Sequence, residues 1–220
     1  MEKKYFDIRK ASLHEFEDFV FDHEVHSVGS DDVWYHQFDL TILIAPQHSA
    51  ESFCEMFEKA GTLFAKYDRA KLEQGCWAMF GAGFKGNLPE LIWESEIPIH
   101  DKEALIESMF FVYRDLFARN PLGHACMMWW DGLAYDIHPS EIADTTYNPS
   151  HKRIQHAMFL TLTKILGMES PDCQFAALHG MNHVAHPLTR ETVMKFISDH
   201  PELSAEDVEY AEDCANGRAM

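Results

Sequence analysis

The sequence predicts an all-α protein of antiparallel helix pairs, stacked as an array or packed as an irregular helical bundle, on three observations. After Ser49 the residues Phe53, Met56, Phe57, Ala60, Leu63, Phe64 and Tyr67 recur at steps of three and four, the period of one buried helix face. Prolines at Pro121, Pro171 and Pro201 each punctuate a stretch of the same period, where proline stops one helix or opens the next. A composition of 46% apolar residues over a length of 220 is enough for the core that such packing requires.

Taken in chain order, Ser12-x-x-Glu15 reads as a capping box ahead of Phe16, Phe19 and Val20. Val33-Trp34-Tyr35 and Leu40 to Ile44 fit a strand or a buried helix by period alone, and helix is the reading favoured. The Ser49 helix follows. Asp101 is the expected N-cap of the next, with Leu105, Ile106, Met109, Phe110, Tyr113, Leu116 and Phe117 inward and Glu103 and Glu107 in its early turns. Pro121 is expected in the first turn of a helix centred on HACMMWWDGLA. Ser150 to Leu166 turns Ile154, Ala157, Met158, Thr161, Leu162 and Ile165 inward; Gly167 ends it, and Ser170 and Pro171 are N-cap and first residue of its successor. Thr189 to Ser198 pairs with a last helix capped by Ser204 and Asp207 and ending at Asn216-Gly217.

From about residue 101 to 216 this alternation, with its joints NPLG, SPDC and HPEL, resembles the HEAT-like helical arrays (α-solenoids), in which helix pairs bury a shared core that no pair could bury alone. The resemblance is architectural. It implies binding along a concave or edge surface and implies no reaction. Gly29 to Asp32 is the strongest early breaker, and Gly81 through Asn87 is another, which places an N-terminal helical subdomain at 1–84 and the array at 85–220, packed against it or continuous with it. Asp136 to Pro149, with two prolines, reads as a surface loop.

Charge narrows the function classes. Thirty-six acidic residues against 18 basic ones give a net charge of −18, so the surface repels phosphate and direct nucleic-acid binding is the least expected activity. Such a charge serves solubility, or it meets a basic partner. The acids crowd Glu206, Asp207, Glu209, Glu212 and Asp213, with Arg218 nearby, and this is the expected partner-binding face. Five cysteines with no C-x-x-C pair fit reduced thiols and a cytoplasmic address, and neither the charged opening MEKKYFDIRKA nor any apolar run suggests export or a membrane span.

The stretch ALHGMNHVAH places His179, His183 and His186 within roughly 60° of one another on a helix, a spacing suited to a zinc or iron ion. Three features favour plain packing instead. Pro187 disturbs the geometry of His186, no glutamate follows the first histidine as in H-E-x-x-H, and Gly180 suggests close approach of another element. Trp129-Trp130-Asp131 admits an aromatic pocket with an acid, but adjacent helical residues point about 100° apart, so the two rings are expected to pack in different directions. No nucleophile elbow or P-loop occurs, and Gly81-Ala82-Gly83-Phe84-Lys85-Gly86 matches only the glycine spacing of a dinucleotide fingerprint. The leading expectation is an acidic cytosolic protein, without cofactor, that engages a basic protein partner as an inhibitor or immunity-type antidote. Its alternatives are a metal-dependent hydrolase or oxygenase using His179, His183 and His186 with an acid such as Asp131, and a passive helical scaffold.

Overall fold

The computed structural model describes residues 4–27, 30–36, 40–134 and 149–219, so Gly29 and nearly all of the segment from Asp136 to Pro149 lie outside the described residues. Helix accounts for 67% of the structure and strand for 4%, which bears out the all-α class. The chain divides into two compact units, Met1–Leu116 and Phe117–Met220, and the breaker at 81–87 falls inside the first of them. No helix among the described residues is long and apolar enough to cross a membrane.

The first unit opens with β1 (Lys4–Asp7), followed by α1 (Leu13–Phe21), whose Ser12 and Glu15 form the expected capping box. Residues 40–43, read above as helix, form strand β2 (Leu40–Leu43), which pairs in parallel with β1 so that Lys4 faces Leu40 and Asp7 faces Leu43. Period could not separate the two outcomes; the run is short, and only a second extended segment, the N-terminal KYFD, decides it. A parallel pair needs a long crossover, and α1 lies within that connection. Val33 to Tyr35 is closer to expectation, with a 3-10 turn over Trp34–His36.

The Ser49 helix is shorter than its stripe. Helix α2 (Pro46–Glu58) starts on a proline and ends at Lys59; a four-residue α3 (Ala60–Leu63) and a 3-10 turn (Phe64–Lys66) follow. Phe53, Met56, Phe57, Ala60 and Phe64 are buried as the period requires. The turn has a use: it delivers Lys66 to within 3.0 Å of Glu17, whose side chain is fully buried. Helix α4 (Arg69–Ala78), not anticipated, is capped by Asp68, and a π-helical turn spans Glu90–Glu94. Helix α5 (Ile99–Val112) is capped at Pro98, which puts Asp101 in the first turn and not at the cap.

In the second unit, α6 (Ala125–Ala134) begins later than expected. Leu122 and Gly123 both have left-handed backbones, with φ of 52° and 61°, so the chain cannot enter the helix at Pro121. Helix α7 (Pro149–Leu166) leads to α8 (Pro171–Val184), capped by Ser170 with Pro171 in its first turn as anticipated. Helices α9 (Thr189–Asp199) and α10 (Ala205–Ala215) follow, the latter with the Ser204 and Asp207 capping box. Helix α8 is the hub, lying against α6, α7 and α10. Gly180 makes its closest approaches: a Cβ there would come within 2.7 Å of both Leu162 and Trp130. Trp129 and Trp130 are buried in different directions, Trp129 edge-on to Phe117 and Trp130 against Gly180.

Candidate metal centre

Helical geometry alone aligns His179 and His183, four residues apart on α8, and leaves His186 out. Helix α8 stops at Val184, and Ala185 adopts a left-handed backbone with φ of 49°, so the expected single face of three histidines does not form. His186 instead stacks on Phe159 with ring centroids 4.1 Å apart and meets His156 on α7. Pro187 is the sequence signal for this break, since a proline turns the residue before it away from helix.

The place of the third group falls to Asp131. It lies on α6, one residue after Trp130, whose contact with Gly180 brings α6 against α8 at this level. Asp131, His179 and His183 each offer a ligand atom, all within 4.8 Å of one another. The glycine that favoured plain packing in the sequence is therefore what brings carboxylate and imidazoles together, and the acid missing beside His179 comes from another helix.

The arrangement of the nitrogens is specific. Nε2 of His179 and Nε2 of His183 face each other at 3.2 Å. Two nitrogens bound to one tetrahedral zinc at about 2.0–2.1 Å stand roughly 3.3 Å apart, so the pair has the spacing of a coordination edge. Behind each imidazole, the Nδ1 atom lies near an oxygen, in a hydrogen bond at His179 and in a charge contact without hydrogen-bond alignment at His183. Nδ1 of His179 lies 3.2 Å from the hydroxyl of Tyr210 on α10, and Nδ1 of His183 lies 3.3 Å from Oδ1 of Asp131. Metal-binding histidines present such an arrangement, with a carboxylate or hydroxyl fixing the proton on the outer nitrogen. A tyrosine hydroxyl suits the His179 position because it donates or accepts as the tautomer requires.

Electrostatics agree with a neutral His179 ring. Burial, and secondarily the neighbouring His183, hold the His179 pKa below the ordinary histidine value, opposed only by Asp131. A neutral imidazole is the ligand form. Tyr210 is pushed above the usual phenol range by burial and by Cys214, so it stays protonated. Oδ1 of Asp131 is a buried oxygen with no directed hydrogen bond. Such an atom is costly without a positive partner, and a cation among these three side chains removes that cost.

The three residues border a cavity of about 590 Å³, within the range of small-ligand sites. Apolar Met127, Met128 and Phe175 form part of its wall, and Glu206, Asp207 and Tyr210 of α10 form another. The tryptophans do not line it. A larger cavity of about 950 Å³ in the first unit runs along β1 and α1, but most of its charges are committed: Arg9 to Asp7, Glu15 to Ser12, Asp18 to Lys66 and Tyr67, and Asp22 to Lys71.

The acidic face divides on inspection. Asp207 accepts from Ser204 in the capping box and Asp213 holds Arg218, so both are engaged within the chain. Glu206, Glu209 and Glu212 are exposed. Sequence reasoning missed Tyr210 and Phe175. Of these only Tyr210 left a trace, as the single aromatic in an otherwise acidic helix. No known protein family, curated protein or solved structure matches the chain.

Proposed function

We propose that the second unit holds a divalent transition metal, zinc or iron, through Nε2 of His179 and His183, and that it works as a metal-dependent hydrolase. The observation that carries this reading is the Nε2 pair at 3.2 Å with Asp131 and Tyr210 placed behind the two rings. His179 and His183 would hold the ion, which would supply a water of lowered pKa as nucleophile. Asp131, already 3.3 Å from Nδ1 of His183, would on metal binding align with that nitrogen as the outer partner of a carboxylate–histidine–metal triad. The carboxylates of Glu206 and Asp207, which border the same cavity, supply the kind of base that the HGMNH stretch lacks.

The test is equilibrium dialysis of untagged protein against zinc and iron(II), with metal counted per chain. One ion per chain is expected, lost in His179→Ala and His183→Ala proteins that keep their circular dichroism. Hydrolysis of p-nitrophenyl acetate by the zinc form, abolished by chelation and by His183→Ala, is the expected activity readout. Zinc binding that survives both alanine variants would overturn the assignment.

A second reading keeps the acidic face as a dock for a basic protein partner, supported by the exposure of Glu206, Glu209 and Glu212 along one helix. It places the chain in the cytoplasm as an inhibitor or as a scaffold with HEAT-like stacking of α7–α8 on α9–α10. Binding to a cationic protein that weakens with salt and with lysine at those three positions supports it; binding indifferent to both removes it.

A further inference from the structure

The cavity beside the histidines has a composition that selects its occupant. We infer that it takes an organic cation, an ammonium or guanidinium group carried on an apolar body, seated beside the metal ion; the inference rests on the metal reading above. Three carboxylates border the cavity, Asp131, Glu206 and Asp207, and neither lysine nor arginine lines it among the described residues. A divalent ion offsets two of those charges and leaves one negative charge unanswered. A phosphate or carboxylate substrate would add to that charge with no cationic side chain to receive it, whereas a monocation completes it.

The walls supply the rest. Met127 and Met128 are half-buried and offer flexible thioether surface that moulds to an alkyl or aryl body. Phe175 and Tyr210 stand with ring centroids 5.7 Å apart at 43°, presenting aromatic surface at the same cavity, where a cation is attracted to a ring face. Glu206 is the exposed carboxylate of the three, so its pairing with a ligand disturbs no buried contact; Asp207 accepts from Ser204. The substrate class is therefore an ester or amide carrying a positive charge, and phosphoesters are excluded by the same charges.

The experiment uses benzyltrimethylammonium as the probe, because a quaternary ammonium cannot ligate a metal and so reports the walls alone. Titrated into the zinc-loaded full chain, it should bind more tightly than phenylacetate or phenyl phosphate. Glu206→Gln should weaken it by up to about five-fold, the upper end for one exposed ion pair, and Phe175→Leu should weaken it by a similar factor while leaving zinc retention unchanged. Tighter binding of either anion, or ammonium binding indifferent to both substitutions, overturns the inference. Zinc retention is read separately by dialysis: a chain that holds no zinc sinks the metal reading, and the preference for the ammonium probe is then decided on the metal-free protein, where the three carboxylates are unopposed and binding should be stronger.

Discussion

Two pairs of imidazoles in the second unit bring ring nitrogens to the same separation and differ in what stands behind them. His179 and His183 meet at 3.2 Å through Nε2, and so do His156 and His186, through Nδ1 of the one and Nε2 of the other. In the first pair the outer nitrogens face a tyrosine hydroxyl and a carboxylate, both able to accept a proton. In the second pair, Nδ1 of His186 receives the backbone N–H of Leu188 at 3.2 Å. That nitrogen must keep its lone pair for the amide, so in the neutral ring the proton sits on Nε2, which donates to His156. A ring wired this way has no lone pair to give a metal on the side that meets its neighbour. Distance between imidazoles is thus a poor guide to ligation; the hydrogen-bonding class of the group behind each ring decides it.

The largest expected effect tests this contrast directly. His179→Ala or His183→Ala should lower zinc affinity by about 100-fold or more, whereas His156→Ala and His186→Ala should leave it within experimental error, as measured by competition with a chelating dye. Equal losses from both pairs would mean that proximity suffices and that the wiring is irrelevant.

Next in size are the groups behind the rings. Asp131→Asn should cost about 10- to 100-fold in zinc affinity, the range for an outer partner, and Tyr210→Phe should cost less because water can replace a hydroxyl. A loss at Asp131 as large as that at His183 would sharpen the comparison in another way, by making the carboxylate a direct ligand.

Gly180→Ala is the third. In an exposed helix this change gains up to about 1 kcal/mol. Here the new methyl meets Trp130 and Leu162 at 2.7 Å, so the overpacking cost of about 1–3 kcal/mol should win and thermal unfolding should occur several degrees lower. Zinc affinity should fall with it, because Asp131 follows the tryptophan that must move. An unchanged melting temperature would show that α6 and α8 separate freely and that the glycine does not position the site.

Local signals in the sequence were reliable where a single residue settles the backbone. Ser12 with Glu15, Ser170 ahead of Pro171, and Ser204 with Asp207 accept helix-end amides within four residues of themselves or, for Pro171, remove one, and each stands where it was expected. Strand β2 was not legible, because its only partner among the described residues is 36 residues away and a four-residue run carries no period of its own. The site was half legible. The i, i+4 histidines follow from the turn of one helix, but Asp131 and Tyr210 reach them only through the packing of α6 and α10 on α8, and no spacing along the chain encodes that. His186 was misplaced because a helical wheel assumes that the helix continues, whereas the left-handed Ala185 ends it.

The smallest expected effect is the response of the second pair to acid. Burial first, and then the proximity of His156, hold His186 below the ordinary histidine pKa of 6.5. Arg190 on α9 borders the same small cavity and adds a further positive charge on that side. The folded chain therefore resists a proton that the unfolded chain accepts freely. As pH falls through 6.5 the unfolded state takes up more protons, and stability declines until the folded pKa of His186 is also passed; above 6.5 this residue contributes no pH dependence. His186→Phe preserves the stack on Phe159 and removes the titration, so its melting temperature should fall less than that of the wild type between pH 7 and pH 5. Both proteins are compared in chelator, which keeps metal linkage at the first pair out of the difference. Identical slopes would show that His186 takes its proton without penalty, and the donor-to-acceptor wiring assigned to it through Leu188 would have to be abandoned.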